Sequence, residues 1–168
     1  MVNFKRVFDH LFYLPGAQQR AFPASVLKAI EEEIGASEVL HSGELRFAIE
    51  AALPLGAVWR GLSGRARAIE LFSQLRVWDT EHNSGVLIYL LLADHDIEIV
   101  ADRGISARVD QREWEEITHT MEEAFRAEQF EQGALIGIRA ITTLLAHHFP
   151  PDGNNPDELS NRPVLLRK

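Results

Sequence analysis

The sequence predicts an α/β domain, a three-layer α/β/α sandwich around a small mixed sheet of about four strands, with an amphipathic helix at its N-terminus. Three observations carry this reading. Val86 to Leu92 is an unbroken apolar run of strand length. Ile97 to Asp102 is a second such segment, separated from the first by the turn residues Asp94, His95 and Asp96. On both sides of this pair, apolar residues recur at spacings of three and four, the period of helices. A strand apolar on both faces needs a layer against each, which is why helices are expected above and below.

From Asn3, a suitable N-cap, Phe4, Val7, Phe8, Leu11 and Phe12 fall on one helical stripe that Pro15-Gly16 ends. The stripe is expected to pack on the domain, the alternative being contact with a partner or a membrane surface through residues 4–12. Pro23 suits the first turn of a second helix, with Val26, Leu27, Ile30 and Ile34 facing inward and Glu31, Glu32 and Glu33 mostly in water. Nothing between Ala36 and Leu40 breaks it, so it is expected to run to about Leu40, before Ser42-Gly43.

Leu45, Phe47 and Ile49 alternate with Glu44, Arg46 and Glu50, a strand with a polar face or an edge position. A loop marked by Pro54, Gly56, Gly61 and Gly64 leads to a helix through Ala66, Ile69, Phe72 and Leu75. A helical crossover makes the first two strands parallel, whereas the short turn after Leu92 makes the second and third antiparallel. A fourth short strand is expected between Ile105 and Val109. Asp110 and Glu113 have the spacing of a capping box, ahead of the stripe Trp114, Ile117, Met121 and Phe125. The last helix, near Glu131 to His148, carries Ala134, Ile138, Ile141 and Leu145, with Gly133 and Gly137 placed for close packing. Pro150-Pro151 stops it. The three tryptophans, Trp59, Trp78 and Trp114, lie in or beside apolar patterns and are expected in the core. The expected division is a helix and linker over 1–22, the main domain over 23–150 and a mobile tail over 151–168.

A chain of 168 residues, 46% of them apolar, has enough material for one core without a staple. A net charge of -8 argues against nucleic acid, whose phosphates are met by clustered Lys and Arg. With no cysteine there is no disulfide, thiol nucleophile or thiolate zinc site. No apolar run reaches the roughly 20 residues that span a bilayer. Asp9, His10 and Pro15 interrupt any export signal near the start, so a cytoplasmic location is expected, with peripheral membrane contact as the alternative. Walker A, G-x-S-x-G, H-E-x-x-H and dinucleotide-binding patterns are absent, and nothing points to an organic cofactor.

Topology suggests where chemistry would sit. A parallel pair followed by a hairpin brings the start of strand one, the start of strand two and the end of strand three to one edge of the sheet. That edge gathers His41, Ser42 and Glu44, then Asp79, Glu81, His82 and Asn83, then Asp102 and Arg103. Ca²⁺ and Mg²⁺ take several oxygen ligands, so Glu44, Asp79 and Asp102 are the candidate metal ligands. With a cation in place, Arg103 could hold a phosphoryl oxygen and His82 could shuttle a proton, making these two the candidate catalytic residues. The opposite edge receives Asp94, His95 and Asp96, which a tight turn also explains. Ligands of open α/β sheets usually bind beyond the carboxyl ends of parallel strands, which favours that second edge.

Ser42-Gly43-Glu44-Leu45-Arg46, Trp78-Asp79, Asn83-Ser84-Gly85-Val86-Leu87, Asp94-His95-Asp96 and Asp102-Arg103-Gly104-Ile105 stand in an order that resembles the TPM domain, the family of TPM phosphatases and thylakoid-lumen photosystem-repair proteins. The resemblance covers roughly residues 23–149. It implies a mixed four-stranded sheet between helices, and links to divalent cations, acid phosphatase activity and upkeep of membrane complexes. This chain has Phe22-Pro23-Ala24-Ser25 where many relatives have a Val-Asn-Asp-like segment, so one acidic contributor near the domain start is absent. Two readings remain open. One is an accessory or assembly protein whose loop edge binds a divalent cation or an anion and which serves a protein partner or a membrane-associated complex. The other is a metal-dependent phosphatase acting on a small phosphate-containing ligand.

Overall fold

The structure, a computed structural model, describes residues 4–151, 153 and 158–166. Asn3, read as an N-cap, lies outside them. Three helices, α1 (Phe4–Leu11), α2 (Ala17–Ala21) and α3 (Ala24–Ser37), precede strand β1 (Glu44–Glu50). Helices α4 (Leu55–Trp59) and α5 (Gly64–Gln74) cross over to β2 (Gly85–Leu91). A short 3₁₀ turn, Leu92–Asp94, leads to β3 (Asp96–Ala101). Helices α6 (Arg103–Ser106), α7 (Gln111–Arg126) and α8 (Phe130–His148) follow, and β4 (Val164–Leu166) comes last.

The sheet runs β3-β2-β1-β4, with β1 parallel to both β2 and β4 and with β2 antiparallel to β3. Alternation along each strand then divides the core in two. Leu45, Phe47, Ile49, Val86, Ile88, Leu90, Ile97 and Ile99 pack on one face against apolar residues of α3, α7 and α8. Ala48, Leu87, Tyr89, Leu91 and Val100 pack on the other against α4 and α5. This is the three-layer α/β sandwich that the periodicities require.

Several elements form for the reasons legible in their residues. Asp110 and Glu113 close a reciprocal capping box at the start of α7, and Ser63 caps α5 by accepting from the Ala66 amide at 3.1 Å. At Gly133 and Gly137, α7 and α8 approach so closely that a methyl group would overlap the side chains of Phe125 and Met121.

Other expectations change. The fourth strand is not at 105–109, where Asp102 instead caps the short α6 and Ile105 is buried. It is Val164–Leu166, within the segment expected to be a mobile tail. Helix α3 ends at Ser37, whose hydroxyl donates to the Ile34 carbonyl at 2.7 Å, and residues up to Leu40 form a turn. Of the three tryptophans only Trp114 is buried, while Trp59 and Trp78 are about half exposed.

The polar face expected on β1 is not in water. Glu44 and Glu50 are buried, Glu50 where β4 pairs with β1 and α5 covers its second face, and Glu44 beneath the segment at Leu159. Each charge is used. Glu44 Oε2 accepts from the Leu159 amide at 3.2 Å, and the Arg46 guanidinium donates to the carbonyls of Ser160 and Arg162. These two residues fasten the returning C-terminal segment. Glu50 takes a two-pronged ion pair from Arg67 at 2.9 and 3.0 Å and the Tyr89 hydroxyl at 2.7 Å.

Candidate functional site

The start-of-strand edge assembles as topology requires. The Glu44 amide donates to the Ser84 carbonyl at 3.0 Å, the Ser84 hydroxyl to the Ser42 carbonyl at 3.2 Å, and the Asp102 amide to the Gly85 carbonyl at 2.8 Å. Asn83 adopts a left-handed φ of 51°, which suits an Asn, and its side-chain oxygen accepts from Arg103 Nε at 3.1 Å. Gly104 lets the chain pass against the carbonyls of His82 and Asn83.

The candidate ligands on this edge do not converge. Asp79 is exposed and pairs with Arg76, three residues before it. Asp102 points into its own helix, with Oδ1 accepting from the Arg103 amide at 2.7 Å. Glu44 is buried beneath the C-terminal segment. His82 and Arg103 are both exposed. Among the described residues no group of three or more His, Asp or Glu side chains is placed to share a metal ion. Hard cations take several oxygen ligands, and the described residues of this edge do not offer such a set to Ca²⁺ or Mg²⁺.

The opposite edge, at the carboxyl ends of β1 and β2, is more tightly built. His10 of α1 is fully buried there. Its Nδ1 accepts from the Leu53 amide at 3.0 Å. An amide can only donate, so the ring proton sits on Nε2, which donates to Asp94 Oδ1 at 2.9 Å. Arg6, one turn earlier, grips the same carboxylate through Nε at 3.0 Å and Nη2 at 2.7 Å. Burial would raise the Asp94 carboxyl, but the bonds from Arg6 and His10 outweigh it and hold it below its usual range. Both ring nitrogens of His10 are engaged, so the cluster acts as a clasp and not as a catalytic base.

The clasp inverts α1. Arg6 and His10 face the protein together with Val7, while the rest of the apolar stripe faces outward, with Phe4 72%, Phe8 60% and Phe12 59% exposed, opposite to the packing expected from the stripe. Trp59 of α4, itself 55% exposed, meets Phe4 edge-on with ring centroids 6.1 Å apart. Phe8 and Phe12 lie 4.3 Å apart, and Leu11 and Leu14 continue the exposed surface. The missed residues are Arg6 and His10. The one available signal was that Arg6 and His10 stand four apart, and so share a face, on a helix that also carries Lys5 and Asp9.

The clasp also carries a pH dependence. A carboxyl whose folded pKa is depressed adds stability that is complete above the unfolded value and is lost as pH falls through the folded one. We expect Asp94→Asn to lose about 2 kcal/mol at neutral pH, the worth of a hydrogen bond to a charged group. In urea titrations, wild type and variant should converge as pH falls below about 4. A gap that does not change with pH would mean that the Asp94 charge does not hold the helix.

The sequence profile of the TPM domain matches residues 17–144. The chain belongs to the TPM domain family. Its fold is similar to the NMR structure of BA42 protein from the psychrophilic bacterium Bizionia argentinensis sp. nov., with a TM-score of 0.76 and 29% identity. That likeness covers 85% of this chain and 94% of BA42. A search of curated proteins returned no match. Within this TPM domain, Asp94 and Leu53 fall inside the matched residues, while α1 and β4 lie outside them. The aromatic row is thus carried by a helix that precedes the family match and is pinned to residues within it. No helix among the described residues is long and apolar enough to cross a membrane.

Proposed function

We propose that this TPM domain is an accessory or assembly module that works by docking rather than by turnover. One observation carries the reading: the Arg6 and His10 clasp holds an aromatic row in water. An amphipathic helix ordinarily buries its apolar stripe. Here two polar side chains are desolvated instead, leaving three phenylalanines beside an exposed tryptophan. Contiguous apolar surface of this kind marks interaction sites on folded proteins. The opposite edge supports the same reading, because Asp102 caps a helix, Asp79 pairs with Arg76 and Glu44 anchors the C-terminal segment.

The test is hydrolysis of a simple phosphomonoester with Mg²⁺ or Ca²⁺, using wild type and the Asp79→Asn/Asp102→Asn variant. We expect no turnover above buffer from either protein. Cation-dependent turnover by the wild type that is lost in the variant would make the protein a metal-dependent phosphatase and overturn the docking reading.

A further inference from the structure

Residues 4–22 and 51–69 pack together through the Phe4–Trp59 pair and the bond from the Leu53 amide to His10. These two segments carry Lys5, Arg6, Arg20, Arg60, Arg65 and Arg67 and the acid Asp9, with Glu50 and Glu70 bordering the second, in a chain whose net charge is -8. Arg6, Arg65 and Arg67 are engaged by Asp94, Glu98 and Glu50. Lys5, Arg20 and Arg60 stay exposed around the aromatic row. Arg60 directly follows Trp59 at one end. Arg20 reaches back beside Gly16 near the other, just past the exposed Leu14, and Lys5 lies on α1 itself, paired with Asp9 at 2.7 Å. Arg20 and Arg60 therefore form a basic rim at the two ends of the aromatic row, while Lys5 is balanced by Asp9.

From this pairing of aromatic row and basic rim, and resting on the docking reading above, we propose that the α1–α4 face binds an anionic lipid bilayer. Aromatic side chains partition into the headgroup boundary, and each basic residue near an anionic leaflet adds to the attraction. The same rim argues against a second copy of this chain as the occupant. A two-fold contact across the face would bring Lys5, Arg20 and Arg60 of both copies together, and like charges facing one another oppose association. Short rows of Phe and Trp lying along a surface suit shallow insertion, with no change of fold required.

The experiment is co-sedimentation of the full chain with vesicles of phosphatidylcholine containing about 30% phosphatidylserine, against phosphatidylcholine alone, at low and high salt. The variants are Phe8→Ser/Phe12→Ser, Trp59→Ser on the separate helix α4, and Lys5→Glu/Arg60→Glu. All of these positions are exposed, and circular dichroism of each variant is the check on folding. Binding that needs phosphatidylserine, weakens with salt and falls at least tenfold in each variant supports the proposal. Absence of binding, or binding that no variant changes, overturns it. So does a dimer that Phe8→Ser/Phe12→Ser dissociates while vesicles are not bound, since a second copy then covers the face. These results are independent of the hydrolysis assay, so loss of the lipid claim and loss of the docking reading are distinguishable.

Discussion

Replacing Arg67 by Ala is expected to destabilise the protein by about 3–5 kcal/mol, the cost of stranding one member of a buried ion pair. Glu50 is 2% exposed at the end of β1, and Arg67 of α5 supplies two of the hydrogen bonds to its carboxylate. The third comes from the Tyr89 hydroxyl, whose own ionisation is pushed far up by burial and by the Glu50 charge beside it. With Arg67 gone, the carboxylate keeps one neutral donor in an apolar layer. For a chain of this size the loss lowers Tm on the order of 10 °C. Glu50→Gln in the Arg67→Ala background should restore part of the stability by removing the stranded charge. Thermal and urea unfolding of the three proteins read this directly. A fall below about 1 kcal/mol for Arg67→Ala would mean that water reaches Glu50 and that the layer is not sealed there.

Gly85→Ala is expected to cost about 3 kcal/mol or more, beyond ordinary overpacking, with loss of soluble protein as a second outcome. A methyl group at Gly85 would fall inside the contact distance of the Val77 carbonyl oxygen. That carbonyl has no room to yield, because Val77 is fully buried and its amide is tied to the Phe72 carbonyl at 3.0 Å. Gly85 itself is held on both sides, in register with Glu44 on β1 and accepting from the Asp102 amide on its other flank. Gly56→Ala is the control. It lies exposed on α4, where a methyl group meets only the end of Arg60 at 3.5 Å, and helix propensity should make the change neutral or slightly stabilising. Equal destabilisation by the two substitutions would remove the packing explanation.

These two positions show where the sequence is readable. The apolar run of β2, the hairpin to β3, the capping box of α7 and the glycines of α8 are local signals, and each element forms where its own residues place it. The edge that gathers Glu44, Asp79, His82, Asp102 and Arg103 followed from strand directions alone. What those side chains do there was not readable, because Asp79 found Arg76 and Asp102 found an amide one residue away, as short polar side chains readily do. Helix α1 illustrates the larger obstacle. Its stripe specifies two faces but not which one turns inward, and that was decided by Asp94, more than eighty residues later. β4 was hidden for another reason. Three residues are too few to display a period, and a Pro-, Asn- and Asp-rich stretch stands before them.

That last strand has a role out of proportion to its length. β1 is paired on its outer side, over Ala48–Glu50, with Val164–Leu166, and among the described residues no further strand lies beyond. An uncovered β1 would be a ready template for strand addition. Lifting Val164–Leu166 away would therefore open the Ala48–Glu50 edge to strand addition from another chain.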